Sequence, residues 1–111
     1  VMNKKLEMEL ERQLREAGIE YVPQYRAIEG RKYAWDFFIP AANLLVEVQG
    51  GTWAWRRTAH TYGTGYRRDC EKNYLALMAD YKPIAVTADM IRDGTALRIV
   101  KSFLEKENKN V

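Results

Sequence analysis

The run Leu44-Leu45-Val46-Glu47-Val48-Gln49 constrains this chain more than any other segment. Its aliphatic residues do not alternate with polar ones. A run of that kind reads as a strand covered on both faces, which requires a layer of structure on each side. The rest of the chain supplies those layers. Asn3 to Ala17 reads as a helix, with Leu6, Leu10 and Leu14 in one stripe and Gly18 as its C-terminal cap. Glu20 to Ile28 reads as an extended segment interrupted by Pro23, which confines it to a sheet edge or an irregular strand. Glu29-Gly30-Arg31 is a turn, Lys32 to Ile39 a strand rich in aromatic and β-branched residues, and Pro40 to Asn43 a second turn. Tyr66 to Ala79 reads as a helix with Cys70, Tyr74, Leu77 and Met78 facing inward. Pro83 to Thr87 is a short apolar strand. Asp89 to Lys106 is helical, with Asp89 as candidate N-cap, Gly94 as a break, and frayed residues after it. The order α-β-β-β-α-β-α predicts an α/β fold with a mixed central sheet flanked by helices, its third and fourth strands joined by a parallel crossover.

Composition narrows the function. The 111 residues are 47% hydrophobic and 30% charged, which predicts one globular domain over residues 1–111 with a core at about 6–100. No apolar run approaches the ~20 residues that span a bilayer. The charged, periodic first segment has no signal-peptide core. The expectation is a cytoplasmic protein without a membrane partner. One cysteine and one histidine exclude an internal disulfide, a cysteine-cluster zinc site and a multi-histidine site. A bound metal would need oxygen ligands. The net charge of +3 permits a polyanionic partner without demanding one.

Two carboxylates sit in segments that otherwise read as core. Glu47 interrupts the buried strand, and Asp36 lies between Trp35 and Phe37. A buried carboxylate is costly unless paired, protonated or bound to a cation. A hairpin turning between Ala41 and Ala42 sets Asp36 opposite Glu47, on one face of the sheet. Opposed carboxylates repel, and a divalent cation between them converts the repulsion into binding. Exposure near a sheet end, or a salt bridge to an arginine such as Arg31, are the other ways to accommodate them. Gln49 shares the face of Glu47. On the first helix, Glu7 lies at roughly 60° from the centre of the leucine stripe, closer than any other acid. Glu11 is the second candidate.

Asp36, the ten residues that follow and then Glu47-Val48-Gln49, set between two helices, resemble the PD-(D/E)XK nuclease superfamily. The segments 31–37 and 46–53, with His60, Gly63, Gly65 and Asp69 to Lys72, look like a small phage and bacterial branch similar to the very-short-patch repair endonucleases. The resemblance implies a restriction-endonuclease-like core and a Mg²⁺- or Mn²⁺-dependent DNA endonuclease of bacterial or phage origin. It implies that Asp36, Glu47 and the Val48 carbonyl hold the metal, joined by Glu7. The chain departs from the pattern at two places. Trp35 stands where the pattern has Pro, and Gln49 where it has Lys. Lys72 can supply a relocated cation, Gln49 can orient a water, and His60 can protonate the leaving oxygen or contact a phosphate.

The segment 53–72 supplies a candidate nucleic-acid surface: Trp53, Trp55, Arg56, Arg57, His60, Tyr62, Arg67 and Arg68. Cations there hold phosphates and rings stack on bases. A single small domain favours cutting set by DNA structure, nicking, or specificity set by a partner protein; cutting both strands of a symmetric substrate calls for a homodimer. Two other functions stay open: an inactive nuclease-fold module that binds nucleic acid, and a structural subunit whose acids are salt-bridged.

Overall fold

The leucine stripe at positions 6, 10 and 14 forms as expected, on a helix, α1, that spans Lys4–Glu16. The structure is a computed structural model and describes residues 4–49 and 62–109, with residues 62–66 described by their backbone path alone. Leu10 and Leu14 are fully buried, each worth roughly 1.5–3 kcal/mol in apolar surface removed from water. Gly18 takes φ +71° and the chain turns off the helix there, with Ile19 N–H bonding the Leu14 carbonyl at 2.9 Å. A left-handed residue after the last helical turn satisfies carbonyls that the helix leaves unpaired, and glycine adopts that conformation without strain.

Four strands follow: β1 at Val22–Tyr25, β2 at Trp35–Ile39, β3 at Leu44–Gln49 and β4 at Lys82–Thr87. They form one sheet in the order β1-β2-β3-β4. The β1–β2 and β2–β3 pairs are antiparallel and β3–β4 is parallel. Pro23 lies on the edge strand, where its missing N–H costs no ladder bond. Between β2 and β3, Pro40–Ala42 makes one 3₁₀ turn, closed by Asn43 at φ +52°, a conformation that asparagine tolerates. Phe37 pairs with Val46, Phe38 with Leu45 and Ile39 with Leu44. The hairpin therefore turns between Ala41 and Ala42, and Asp36 and Glu47 come next along it.

Helix α2 spans Tyr62–Met78 and carries the crossover to β4. The expected start at Tyr66 is four residues late, because Gly63 and Gly65 lie inside the helix and not in the preceding loop. The last helical segment is broken at Gly94, as expected, into α3 at Ala88–Arg92 and α4 at Thr95–Lys109. Its cap is Thr87 and not Asp89: the Thr87 hydroxyl accepts the Met90 N–H at 3.3 Å. Residues 107–109 continue the helix where fraying was expected. Among the described residues no helix is long and apolar enough to cross a membrane.

One face of the sheet packs under α1, α3 and α4, burying Phe37, Ile39, Val46 and Val48 against Leu10, Leu14, Ile91 and Val100. The other face lies under α2 and holds Trp35, Leu45 and Ala76 with a rim of Tyr25, Phe38 and Tyr81. Helix α2 is turned differently from the sequence expectation. Cys70 is exposed, and Tyr74, Leu77 and Met78 are 55–67% exposed. Among the described residues of α2, the buried ones are Lys72 and Ala76. At roughly 100° per residue, the expected stripe stands on the side of the helix opposite Lys72. The sheet beneath α2 carries Glu47, and satisfying that carboxylate with Lys72 sets the rotation of the helix.

Candidate active site

The site begins where β2 stops alternating. Trp35 packs on the α2 face and Phe37 on the α1 face, although residues two apart in a strand ordinarily share a face. The break falls at Asp36. Its Oδ2 accepts the backbone N–H of Val48 at 2.7 Å, so the carboxylate is tied to β3 one residue beyond Glu47. On its other side Asp36 Oδ1 lies 3.4 Å from the Gln24 amide nitrogen, which also reaches Glu7 Oε1 at 3.3 Å.

Glu47 projects toward α2. Its Oε1 accepts from Lys72 Nζ at 2.9 Å, and the same ammonium donates to the Ala34 carbonyl at 2.9 Å. The Lys72 charge also stands 4.7 Å from the centre of the Trp35 ring, within cation–π range. Burial pushes the Glu47 carboxyl above its usual range; the Lys72 ammonium pulls it back, and the charges of Asp36 and Asp69 add to the rise. Glu7 is raised too, by burial first and by Asp36 second. Both shifts come first from burial, and the neighbouring acids add to them.

Glu47 and Gln49 open onto a cleft of about 390 Å³, which Trp35, Asp69, Cys70, Asn73 and residues 83–85 complete. The shared cleft bears out the expectation that Gln49 lies on the face of Glu47. Asp69 and Asn73 were not among the expected site residues. They lie four residues apart on α2, on either side of Lys72 in sequence, and the rotation of α2 brings them to the cleft.

Of the two acids weighed on α1, Glu7 lies beside Asp36. Glu11 instead accepts from the Tyr21 hydroxyl at 2.7 Å and pairs with Arg15 at 3.7 Å. Arg31 does not pair with the site acids; it bonds Glu71 at 3.0 Å. Glu71 also accepts the Tyr33 hydroxyl at 2.6 Å, and the Arg68 guanidinium stands 5.9 Å over the Tyr33 ring. Arg67 and Arg68 are exposed on α2. Trp53, Trp55, Arg56, Arg57 and His60 lie outside the described residues, as does the side chain of Tyr62.

The fit of a metal can be judged on the donors present. Among the described residues no three His, Cys, Asp or Glu side chains form one metal-holding group. The acids instead form a series of neighbours, Glu7 beside Asp36 and Asp36 beside Glu47. Mg²⁺ is commonly held by one or two carboxylates, with water and substrate phosphate oxygens completing its shell. Asp36 and Glu47 meet that requirement, and their oxygens are the hard donors that this ion takes.

No protein-family profile matches the sequence, and no curated protein matches it. Among solved structures the fold is similar to the catalytic domain of the homing endonuclease I-Bth0305I, with a TM-score of 0.67. The match covers 91% of this chain and 94% of that one, at 19% sequence identity. At that identity the likeness is one of fold.

Proposed function

We propose that this chain is a metal-dependent endonuclease that hydrolyses phosphodiester bonds in DNA. The observation that carries the reading is that Asp36, fixed by the Val48 N–H, and Glu47, fixed by Lys72, stand on adjacent strands close enough for the charge of Asp36 to act on Glu47. The fold shared with the catalytic domain of a homing endonuclease supports it, because a nuclease core accommodates such a site. The resemblance of the Asp36 to Gln49 segment to the PD-(D/E)XK pattern supports it from the sequence side.

In this reading Asp36, Glu47 and the Val48 carbonyl hold the divalent cation, with Glu7 next to Asp36. A bound cation supplies Lewis acidity toward the scissile phosphate and acidifies water. The chain's own groups do the rest. Gln49 donates or accepts one hydrogen bond to orient the attacking water, and it does not act as a base. Lys72 would offset the negative charge that develops on the phosphoryl oxygens, and Glu47, Ala34 and Trp35 already hold its ammonium in place. Arg67 and Arg68 hold backbone phosphates, with the basic and aromatic residues of segment 53–62 extending that surface. His60 contacts a phosphate or protonates the leaving oxygen.

Gln49 in place of lysine favours one other reading, an inactive module that binds nucleic acid. One assay separates the two. Labelled duplex, nicked and branched DNA are incubated with Mg²⁺ or Mn²⁺, beside Asp36→Asn and Glu47→Gln. The expected result is cutting, strongest on nicked or branched substrates, that both substitutions abolish. Binding without cutting by the unaltered protein supports the inactive module. Cutting that survives Glu47→Gln removes the proposed site.

A further inference from the structure

Gln24 has a left-handed backbone, at φ +48°, in the middle of edge strand β1. A residue with a Cβ is strained there, and glutamine lacks the short local hydrogen bonds that let asparagine and aspartate tolerate it. Strain of this kind persists where the surroundings over-determine it, and it gathers at functional sites. The surroundings here are specific. The β1–β2 ladder pairs Val22 with Phe38, Pro23 with Phe37 and Tyr25 with Trp35, and it passes over Gln24, which stands opposite Asp36. The strained residue on β1 thus faces the residue where β2 stops alternating. From this position one amide nitrogen reaches Glu7 Oε1 at 3.3 Å and Asp36 Oδ1 at 3.4 Å. It stands between two carboxylates on different elements, which would otherwise repel each other.

We infer that Gln24 is a positioning residue, whose strained backbone carries its amide across the gap between α1 and β2 to hold Glu7 beside Asp36. The inference rests on the endonuclease reading, in which those acids face the cation. Glu7 has a flexible side chain on a half-exposed helix face, with Lys4 one turn away as a competing partner. Without the amide, nothing else shown in the structure directs Glu7 to the sheet. A merely structural tie between β1 and α1 would lose stability and activity together. A positioning role separates them, because the geometry it enforces is strained.

Two substitutions test this. Gln24→Gly removes the amide and adopts the left-handed backbone without strain. Gln24→Asn tolerates the same backbone and keeps a shorter amide. The measurements are kcat and KM on cut DNA, Mn²⁺ affinity by calorimetry, and Tm without divalent ions. For Gln24→Gly, kcat is expected to fall about 10- to 100-fold, the scale of a small misplacement of reacting groups. KM stays within about threefold, Mn²⁺ affinity falls by more than about threefold, and the metal-free Tm is equal to or above that of the unaltered protein. Gln24→Asn recovers part of the loss. The inference is overturned if kcat and Mn²⁺ affinity stay within about twofold, or if the metal-free Tm drops along with activity. If the unaltered protein binds Mn²⁺ but cuts no DNA, the endonuclease reading fails, and Gln24 is still judged by Mn²⁺ affinity and Tm. A protein that neither binds Mn²⁺ nor cuts overturns both.

Discussion

The ammonium of Lys72 lies 2.9 Å from Glu47 Oε1, and its side chain is only 11% exposed while that of Glu47 is 32% exposed. An ion pair removed from water repays its desolvation only if its remaining hydrogen bonds are made. Lys72 meets that condition through the Ala34 carbonyl and the Trp35 ring. Truncating it strands the carboxylate. Lys72→Ala is expected to cost about 2–3 kcal/mol, below the usual 3–5 because Glu47 keeps contact with water. The double variant Lys72→Met with Glu47→Gln should regain much of that loss. Urea denaturation of the two variants checks both values. Lys72→Met should also lower kcat by about 100-fold on any DNA the protein cuts.

The Glu7 carboxyl is raised above its usual range by burial and by Asp36, so ionising it costs the folded protein more than the unfolded chain. Its favourable contribution is present below the unfolded carboxylate range and is lost as pH rises through the higher, folded value. Glu7→Gln removes that penalty. The variant is expected to be more stable than the unaltered protein at pH 7, by about 0.5 kcal/mol after solvent screening. The advantage should vanish near pH 3. Thermal melts at the two pH values, without divalent ions, decide it. Equal stability at both would show that Glu7 is solvated like an ordinary helix acid.

A divalent cation that binds the folded protein and not the unfolded chain raises its stability by mass action. At a hundredfold excess over the dissociation constant the gain is about 2.7 kcal/mol. Titrating Mg²⁺ or Mn²⁺ should therefore raise Tm progressively, and chelation should return it to the starting value. Asp36→Asn and Glu47→Gln should show no such rise. A rise that survives in either variant would place the cation elsewhere on the chain.

The outward stripe of α2 gives a prediction opposite to the one its periodicity suggests. Leu77 and Met78 are 55% and 67% exposed. Leu77→Ala should change stability by less than about 0.5 kcal/mol, the range for exposed positions. A buried leucine truncated to alanine costs about 2–5 kcal/mol. Leu10→Ala on α1 is the matched control and should fall in that range. Urea midpoints for the pair distinguish the two orientations of the helix.

Much of the fold was legible because its signals are local. Leu6, Leu10 and Leu14 mark a helix face whichever partner covers it. The Pro40 to Asn43 turn sets the hairpin register, which pairs Phe37 with Val46 as expected; the face that Asp36 takes beyond that pair was not legible, because β2 stops alternating there. Pro23 marks an edge strand because it lacks a donor. One cysteine and one histidine leave oxygen atoms as the donors for any bound metal.

Other features depend on atoms far apart in sequence. The periodicity of α2 offers two faces, one apolar through Tyr74, Leu77 and Met78 and one carrying Lys72 and Ala76. Hydrophobicity chooses the first. The fold takes the second, because a half-buried Glu47 beneath the helix needs a cation. That orientation pairs Glu47 with Lys72 and seats Ala76 against the sheet, at the expense of leaving Tyr74, Leu77 and Met78 exposed. The left-handed backbone of Gln24 has no signal in its own neighbourhood either. It places one amide between Glu7, on the helix, and Asp36, on the next strand, groups far from it in sequence. The sequence by itself determined most of the elements and the hairpin register. Tertiary structure decided which helix face turns inward and which polar groups meet, since electrostatic and hydrogen-bond satisfaction depends on partners that only the assembled layers bring within reach.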